Sequence, residues 1–204
     1  MRHAGFFRVL QPKRWGGYEM ELNTFYDIQL ALAEGDMSTA WIYGVSGVHP
    51  WFMALLDDRA AQEVWRSDTS ALICSSLMPA GRATPAEGGY RLSGRWRYAS
   101  CCEHCHWALL GAMVATGNGG PPEGRIFLLP RKDYGTIDTW QVSGLQATGS
   151  WDVSVEDVFV PVLTNSAQTM AVLPEVMLDG YDWALYVQSY AGGGGGPPPL
   201  TRLM

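Results

Sequence analysis

Gly88-Gly89-Tyr90-Arg91-Leu92-Ser93-Gly94-Arg95-Trp96-Arg97-Tyr98-Ala99-Ser100 is the stretch that decides the fold. Tyr90, Leu92, Gly94, Trp96 and Tyr98 alternate with Arg91, Ser93, Arg95 and Arg97. A two-residue period marks a strand with one buried face. The glycine pair ahead of it admits positive φ and marks a turn between strands. Read as one regular strand, the segment puts Trp96, Tyr98 and Ser100 on a common face, where aromatics and a hydroxyl can bracket a planar ring. Aromatic residues also build ordinary sheet cores, and that reading stays open at this point.

Downstream, Trp107 to Val114 is a continuous apolar strand, Asn118 to Gly124 a Gly/Pro loop, and Arg125 to Leu129 a strand ended by Pro130. Ile137 to Val142 and Val153 to Val160 read as two more strands. Upstream, Leu72 to Ser76 reads as a short strand that closes into a polar loop. Before Ser70 the period is helical. Phe25, Ile28 and Leu32 predict a helix from Asn23, capped by Asn23 or Thr24 and ended at Gly35-Asp36. A second helix, led by Ser38-Thr39, carries Trp41, Val45 and Val48 and leaves His49 at its end. A third starts near Asp57-Asp58, with Ala60, Ala61, Val64 and Trp65 on one face. Helices followed by strands predict an α+β fold: a helical part over 1–70, then an antiparallel barrel or sandwich over 71–162. Residues 163–204 read as an irregular, disordered tail. Their Gly192–Gly196 and Pro197–Pro199 runs cannot build a packed core, and are expected to be a truncation or frame-shift scar.

Composition narrows the function classes. The 204 residues are 47% hydrophobic and 17% charged, enough for one domain with a real core. A net charge of −6 argues against nucleic-acid or anionic-membrane partners. No apolar run approaches the roughly 20 residues of a membrane span, and the start is no secretory signal. Four cysteines do not make a disulfide framework, so a reducing cytoplasm is the expected setting. The nine Trp, nine Tyr and six Phe suit a planar ligand, and equally a large core.

Cys101-Cys102-Glu103-His104-Cys105-His106 offers thiolates and imidazoles of the kind a zinc site uses. Cys74 is the only further cysteine, and His3 and His49 the only further histidines. Ligand counting therefore favours buried small thiols over a metal, and no metal ligand is assigned. Gly144 to Ser150 is a Gly-rich turn whose N–H groups and hydroxyls can hold phosphate or ring carbonyls. It matches neither nucleotide-binding glycine fingerprint. Taken alone, it is more often a plain hairpin turn. Cys74 to Gly81 closes a strand with serines, and His49 is either a satisfied structural histidine or a ligand to a phenol or peroxide oxygen.

Five stretches, GFFRVLQPKRWGGYE (5–19), MSTAWIYGVSGVHPW (37–51), CSSLMPAG (74–81), GGYRLSGRWRYAS (88–100) and SGLQATGSWDVSVEDVFVP (143–161), resemble one family in its order and spacing. The family is the oxygenase components of two-component flavin-dependent monooxygenases with the acyl-CoA dehydrogenase fold. The likeness is to aromatic hydroxylases such as those acting on secosteroids and hydroxyphenylacetate. The resemblance implies an N-terminal helical domain, a central β-barrel and a C-terminal four-helix bundle. It makes the chain one truncated at both ends, with the bundle absent.

It also implies reduced FMN or FAD from a partner reductase, O2, a small aromatic substrate and a tetrameric full-length protein. By position, Ser75 and Ser76 would meet the flavin pyrimidine edge, and Trp96, Tyr98 and Ser100 would flank the ring, with Ser100 near its reactive edge. Thr148, Gly149 and Ser150 would lie by the ring or a phosphate, and His49 would border the substrate cavity. Two positions depart from the family: Gln146 stands where a basic residue is usual, and Cys101 where a glycine is usual. An acyl-CoA dehydrogenase proper, and a non-catalytic β-domain or zinc-binding module, are the alternative readings.

Overall fold

The computed structural model describes residues 1–54, 56, 58–115 and 120–161. It is α+β. Helices α1 (Leu22–Gly35), α2 (Met37–Ala54) and α3 (Asp58–Trp65) precede strands β1 (Ile73–Ala86), β2 (Gly89–Ala99), β3 (Trp107–Val114), β4 (Glu123–Pro130), β5 (Gly135–Ile137) and β6 (Trp151–Pro161). The expectations for the tail and a lost bundle fall outside the described residues.

Neither Asn23 nor Thr24 caps α1, which begins after Glu21 without a side-chain cap. Asp36 both closes α1 and starts α2. Its carboxylate accepts hydrogen bonds from the Thr39 amide and hydroxyl, both at 2.6 Å. These bonds hold it below the usual carboxylate range. Phe25 of α1 stacks on Tyr43 of α2, with ring centroids 4.7 Å apart. His49 does not end α2. Pro50 lies inside the helix, which runs on to Ala54. Proline costs one backbone bond there, and burial of Phe52 and Met53 beyond it gives the continuation a packing reason.

The strand order is β4-β3-β1-β2-β6-β5, in a single sheet. The expectation of an antiparallel barrel is corrected on both counts. β1 and β3 are parallel, and among the described residues the sheet is open. The cause is the connection. β1 and β2 form a hairpin through Gly88, at φ 74°. The chain then crosses through the 3-10 turn Cys102–His104, and β3 pairs with the other side of β1.

The sheet buries both faces of its centre, which is why β3 reads as an unbroken apolar run. Ile73, Leu109 and Leu128 pack with Ala61, Val64 and Trp65 of α3. Cys74, Leu110, Phe127 and Leu129 pack with Leu92, Trp96 and Val153. The Trp96 ring lies over Gly81 and Gly94, where a Cβ would collide with it, and its indole N–H donates to the Gly111 carbonyl at 2.5 Å.

Irregularities concentrate where the serines lie. β1 outlasts the predicted Leu72–Ser76 strand because four residues, 77–80, bulge between Ser76↔Leu110 and Gly81↔Ala112. β2 slips between Trp96↔Val153 and Ala99↔Trp151, with Tyr98 at φ 67°. This bulge corrects the common face. Trp96 is fully buried, whereas Tyr98 is 58% exposed. An extra residue shifts everything after it to the opposite face. The strand predicted over Ile137–Val142 is instead found at Gly135–Ile137, sharing only Ile137 with it.

Candidate functional site

Five non-glycine residues among those described have positive φ, and three of them, Tyr98, Cys101 and Leu145, gather around one corner. Each such residue costs about 1–3 kcal/mol, and such residues cluster at functional sites. Cys101, at φ 51°, takes the conformation that a glycine adopts freely. The Cys101 amide bonds the Thr148 carbonyl at 2.9 Å, tying the end of β2 to the turn before β6. Leu145 and Gly149, both left-handed, bound the short 3-10 turn Gln146–Thr148. Gln146 closes the turn by donating to the Val142 carbonyl at 2.8 Å.

The corner joins three of the sequence-predicted hydroxyls. Ser100 Oγ lies 2.8 Å from Ser150 Oγ, and Ser150 Oγ lies 2.7 Å from Thr148 Oγ1. Thr148 donates to the Leu145 carbonyl at 2.9 Å. Thr148 and Ser150 are buried, and Ser100 is half-buried. Sequence reasoning missed Trp41. From α2 its indole N–H donates to Ser100 Oγ at 3.0 Å, although 45% of the residue is exposed. No local signal marks it, since its immediate neighbours are the apolar Ala40 and Ile42.

A second serine group sits on β1. His49 Nδ1 lies 2.7 Å from the Ile73 carbonyl, and Nε2 lies 2.9 Å from Ser75 Oγ. A carbonyl only accepts, so Nδ1 carries the proton and Ser75 donates to Nε2. Burial drives the His49 pKa down to about 4, against a smaller upward pull from the Ile73 carbonyl. The ring is therefore neutral at pH 7 and fully occupied by the protein. Ser76 Oγ donates to the Arg97 carbonyl at 3.0 Å, linking β1 to the bulge of β2.

Not every candidate joins this surface. Trp96 lies inside the sheet, beneath the corner. Tyr98 stands exposed, edge to face with Trp140 at 5.5 Å between centroids. The four cysteines are buried and free. Cys101 and Cys105 sulfurs lie 3.5 Å apart, and burial pushes the Cys102 thiol up to about 12, which suits packing rather than ligation. Among the described residues no three His, Cys, Asp or Glu side chains are grouped to hold a metal. A surface groove of about 610 Å³ at Lys132–Gly135, Ser154–Glu156 and Val158 contains none of the candidate residues.

The corner thus sets the half-buried Ser100 hydroxyl in front of the buried Ser150 and Thr148 hydroxyls. No protein-family model matches the chain. Individual proteins do. The chain is 44% identical to the oxygenase subunit HsaA of a flavin-dependent monooxygenase from Rhodococcus jostii, over 85% of its own length and 46% of that protein. This chain is a relative of the flavin-dependent monooxygenase oxygenase components. It is also 36% identical to the oxygenase component of an FADH(2)-dependent resorcinol hydroxylase from a Rhizobium species, over 79% of its length and 39% of that protein. Among solved structures, XiaF from a Streptomyces species, in complex with FADH2 and glycerol, superposes with a TM-score of 0.77. That match has 29% identity and covers 82% of this chain and 43% of XiaF. The chain thus spans less than half the length of these flavin-dependent relatives. No helix among the described residues is long and apolar enough to cross a membrane.

Proposed function

We propose that this chain is the ring-cradling part of an oxygenase component that hydroxylates an aromatic substrate, phenolic or steroid-derived. It would use O2 and reduced FMN or FAD delivered by a flavin reductase. The observation that carries this reading is the strained corner in which Trp41, Ser100, Ser150 and Thr148 form one hydrogen-bonded row. A purely structural turn has no need to hold Tyr98, Cys101 and Leu145 in costly backbone conformations together.

The residues divide the work. Ser75 and Ser76 face the pyrimidine edge, Tyr98 and Ser100 flank the ring, and Thr148, Gly149 and Ser150 lie by the ring or a phosphate. Trp96 supports β2 from beneath. His49, neutral and saturated, positions Ser75 and does not itself exchange protons with substrate. Reduced flavin supplies the electrons with which O2 is activated. The chain supplies orientation and keeps water from the reacting edge. Residues 1–70 and 71–162 act as the helical and sheet domains. The full-length protein works as a cytoplasmic homotetramer, a setting in which the buried thiols stay free.

Anaerobic titration of the 204-residue chain with reduced FMN and reduced FAD, followed by amide shifts, tests the reading. Saturable shifts are expected at Ser76, Ser100, Cys101, Gly149 and Ser150. Shifts confined to other segments, or none at millimolar flavin, rule the reading out.

A further inference from the structure

The four cysteines do not share one environment. The Cys74 thiol donates to the Trp107 carbonyl at 3.6 Å, and the Cys102 thiol turns to the Trp151 carbonyl at 4.0 Å. Cys101 and Cys105 instead face each other across the short turn 102–104, with sulfurs 3.5 Å apart. That is contact without a bond. Closing it to a disulfide needs the sulfurs to approach by about 1.5 Å, which side-chain rotation with a small backbone adjustment supplies.

Two donors converge on Cys101. Ser46 Oγ of α2, itself buried, lies 3.0 Å from Cys101 Sγ, and the Cys105 thiol is the second neighbour. The Cys105 hydrogen bond holds the Cys101 thiol below its ordinary range, burial opposes it, and Ser46 lowers it further. The same contact, with Cys74 beside it and burial, pushes Cys105 up. The two thiols thus differ in kind: one is held toward its thiolate, the other keeps its proton. The backbone adds a second asymmetry. Cys101 sits at φ 51°, where a side chain is kept at a conformational cost and a glycine would be free. What the cysteine adds there is a thiol.

We propose that Cys101 and Cys105 form a peroxide-responsive dithiol, reduced at rest and closed to an intramolecular disulfide by a small hydroperoxide, with Cys101 the attacking thiol, Cys105 the resolving thiol and Ser46 the residue that positions Cys101. Access comes through the turn. Both sulfurs are buried, but Glu103 and His104 at its crest are exposed. Backbone bonds from the His104 amide to the Cys101 carbonyl at 2.9 Å and from the Cys105 amide to the Cys102 carbonyl at 3.3 Å close the turn. A local opening of these bonds exposes both thiols while the sheet stays folded.

The Cys101 thiolate attacks the outer peroxide oxygen. An S–O bond forms, the O–O bond breaks, and the leaving oxygen takes up the proton that Cys101 gave up. The Cys105 sulfur then attacks the Cys101 sulfenic acid. An S–S bond forms, the S–O bond breaks, and hydroxide leaves as water with the Cys105 proton. The two thiols lose two electrons in all, and one peroxide gains them. A dithiol reductant reverses the change by exchange. Closing the bond draws Cys101 Sγ off Ser46 and turns residues 101–105 into a covalent ring at the crossover from β2 to β3.

The test exposes the 204-residue chain to hydrogen peroxide and maps its cysteines by mass spectrometry. Trypsin puts Cys74 in the peptide 67–82 and the other three cysteines in 98–125. The expected product is a single 98–125 peptide two hydrogens lighter, restored by dithiothreitol and formed equally in Cys102→Ala. Cys101→Gly keeps the left-handed backbone and removes the attacking thiol, so its peptide should keep its mass. In Cys105→Ala the resolving thiol is gone, and dimedone should label Cys101 as a sulfenic acid. Losing a hydrogen bond to the charged form thins the thiolate about tenfold, and the higher intrinsic nucleophilicity of the less acidic thiol returns part of that, so Ser46→Ala should oxidise about threefold more slowly. An unchanged rate there removes Ser46 from the assignment. A link between the two peptides, a lighter 98–125 peptide in Cys101→Gly, or thiols that stay reduced at a peroxide concentration that oxidises the same chain in urea overturns the proposal, and none of these outcomes bears on the proposed function.

Discussion

The two serine groups have opposite chemistry behind them. Ser75 leans on a titratable base, His49, whereas Ser100 leans on hydroxyls that end at a carbonyl. Over the physiological range neither group changes its protons, but only the first can be made to. Protonated His49 would point an N–H at Ser75 Oγ and evict the serine proton. The Ser100 row has no group that titrates between pH 4 and 9. One serine group thus has a pH-sensitive support and the other a support indifferent to pH.

The sharpest way to break that comparison is acid. His49 has a folded pKa of about 4, below the ordinary value of 6.5. Between those values the unfolded chain binds a proton that the folded one refuses, so stability rises with pH across the window and falls as pH drops through it. The depressed value costs about 3 kcal/mol once pH is below both pKa values. His106, lowered by burial, adds in the same direction. Urea denaturation at pH 7 and pH 4 should show that loss. His49→Phe should be less stable at pH 7 and should lose most of the slope. A wild-type slope that survives in His49→Phe would mean that the buried ring is not what titrates.

Thr148→Val is the matching cut in the other group. It removes a buried hydroxyl that donates to Leu145 and accepts from Ser150. A loss of about 1–2 kcal/mol is expected, equal at pH 5 and pH 8. A pH-dependent loss would show that the row is coupled to a titrating group and end the contrast.

How much of this could be read in the chain differs by level. The bounds of β3 follow from an unbroken apolar run, and the observed strand is the predicted Trp107–Val114. The strand-end serines and the Gly-rich turn are visible as local motifs, but that Ser100, Ser150 and Thr148 meet is not. The bulges were not, because a slip such as Trp96↔Val153 to Ala99↔Trp151 exists only relative to the partner strand. For the same reason Trp96 and Tyr98 seemed to share a face. Nor was the parallel β1–β3 pair visible, since it depends on which side of β1 the returning chain takes. Trp41 meets Ser100 across 59 residues of sequence, and no local pattern encodes a contact at that range. His49 was misplaced because Pro50 is a strong local stop signal that buried Phe52 and Met53 override.

The smallest effects come from two glycines of one turn, and they separate backbone conformation from space. Around both, a new Cβ would meet almost nothing: no heavy atom lies within 4 Å at Gly144, and only the Trp151 indole nitrogen, at 4.0 Å, approaches at Gly149. They differ in backbone. Gly149 is held at φ 50°, in the left-handed region, between Thr148 and Ser150. Gly149→Ala should therefore cost about 1 kcal/mol from the Cβ–carbonyl contact alone, and Gly144→Ala should be neutral within about 0.5 kcal/mol. Because Gly149 links the two buried hydroxyls of the row, its alanine variant should also weaken binding of the reduced ring, and the Gly144 variant should not. Equal behaviour of the two variants would show that the left-handed residue relaxes freely. The Thr148–Ser150 bond would then owe its geometry to packing rather than to the turn.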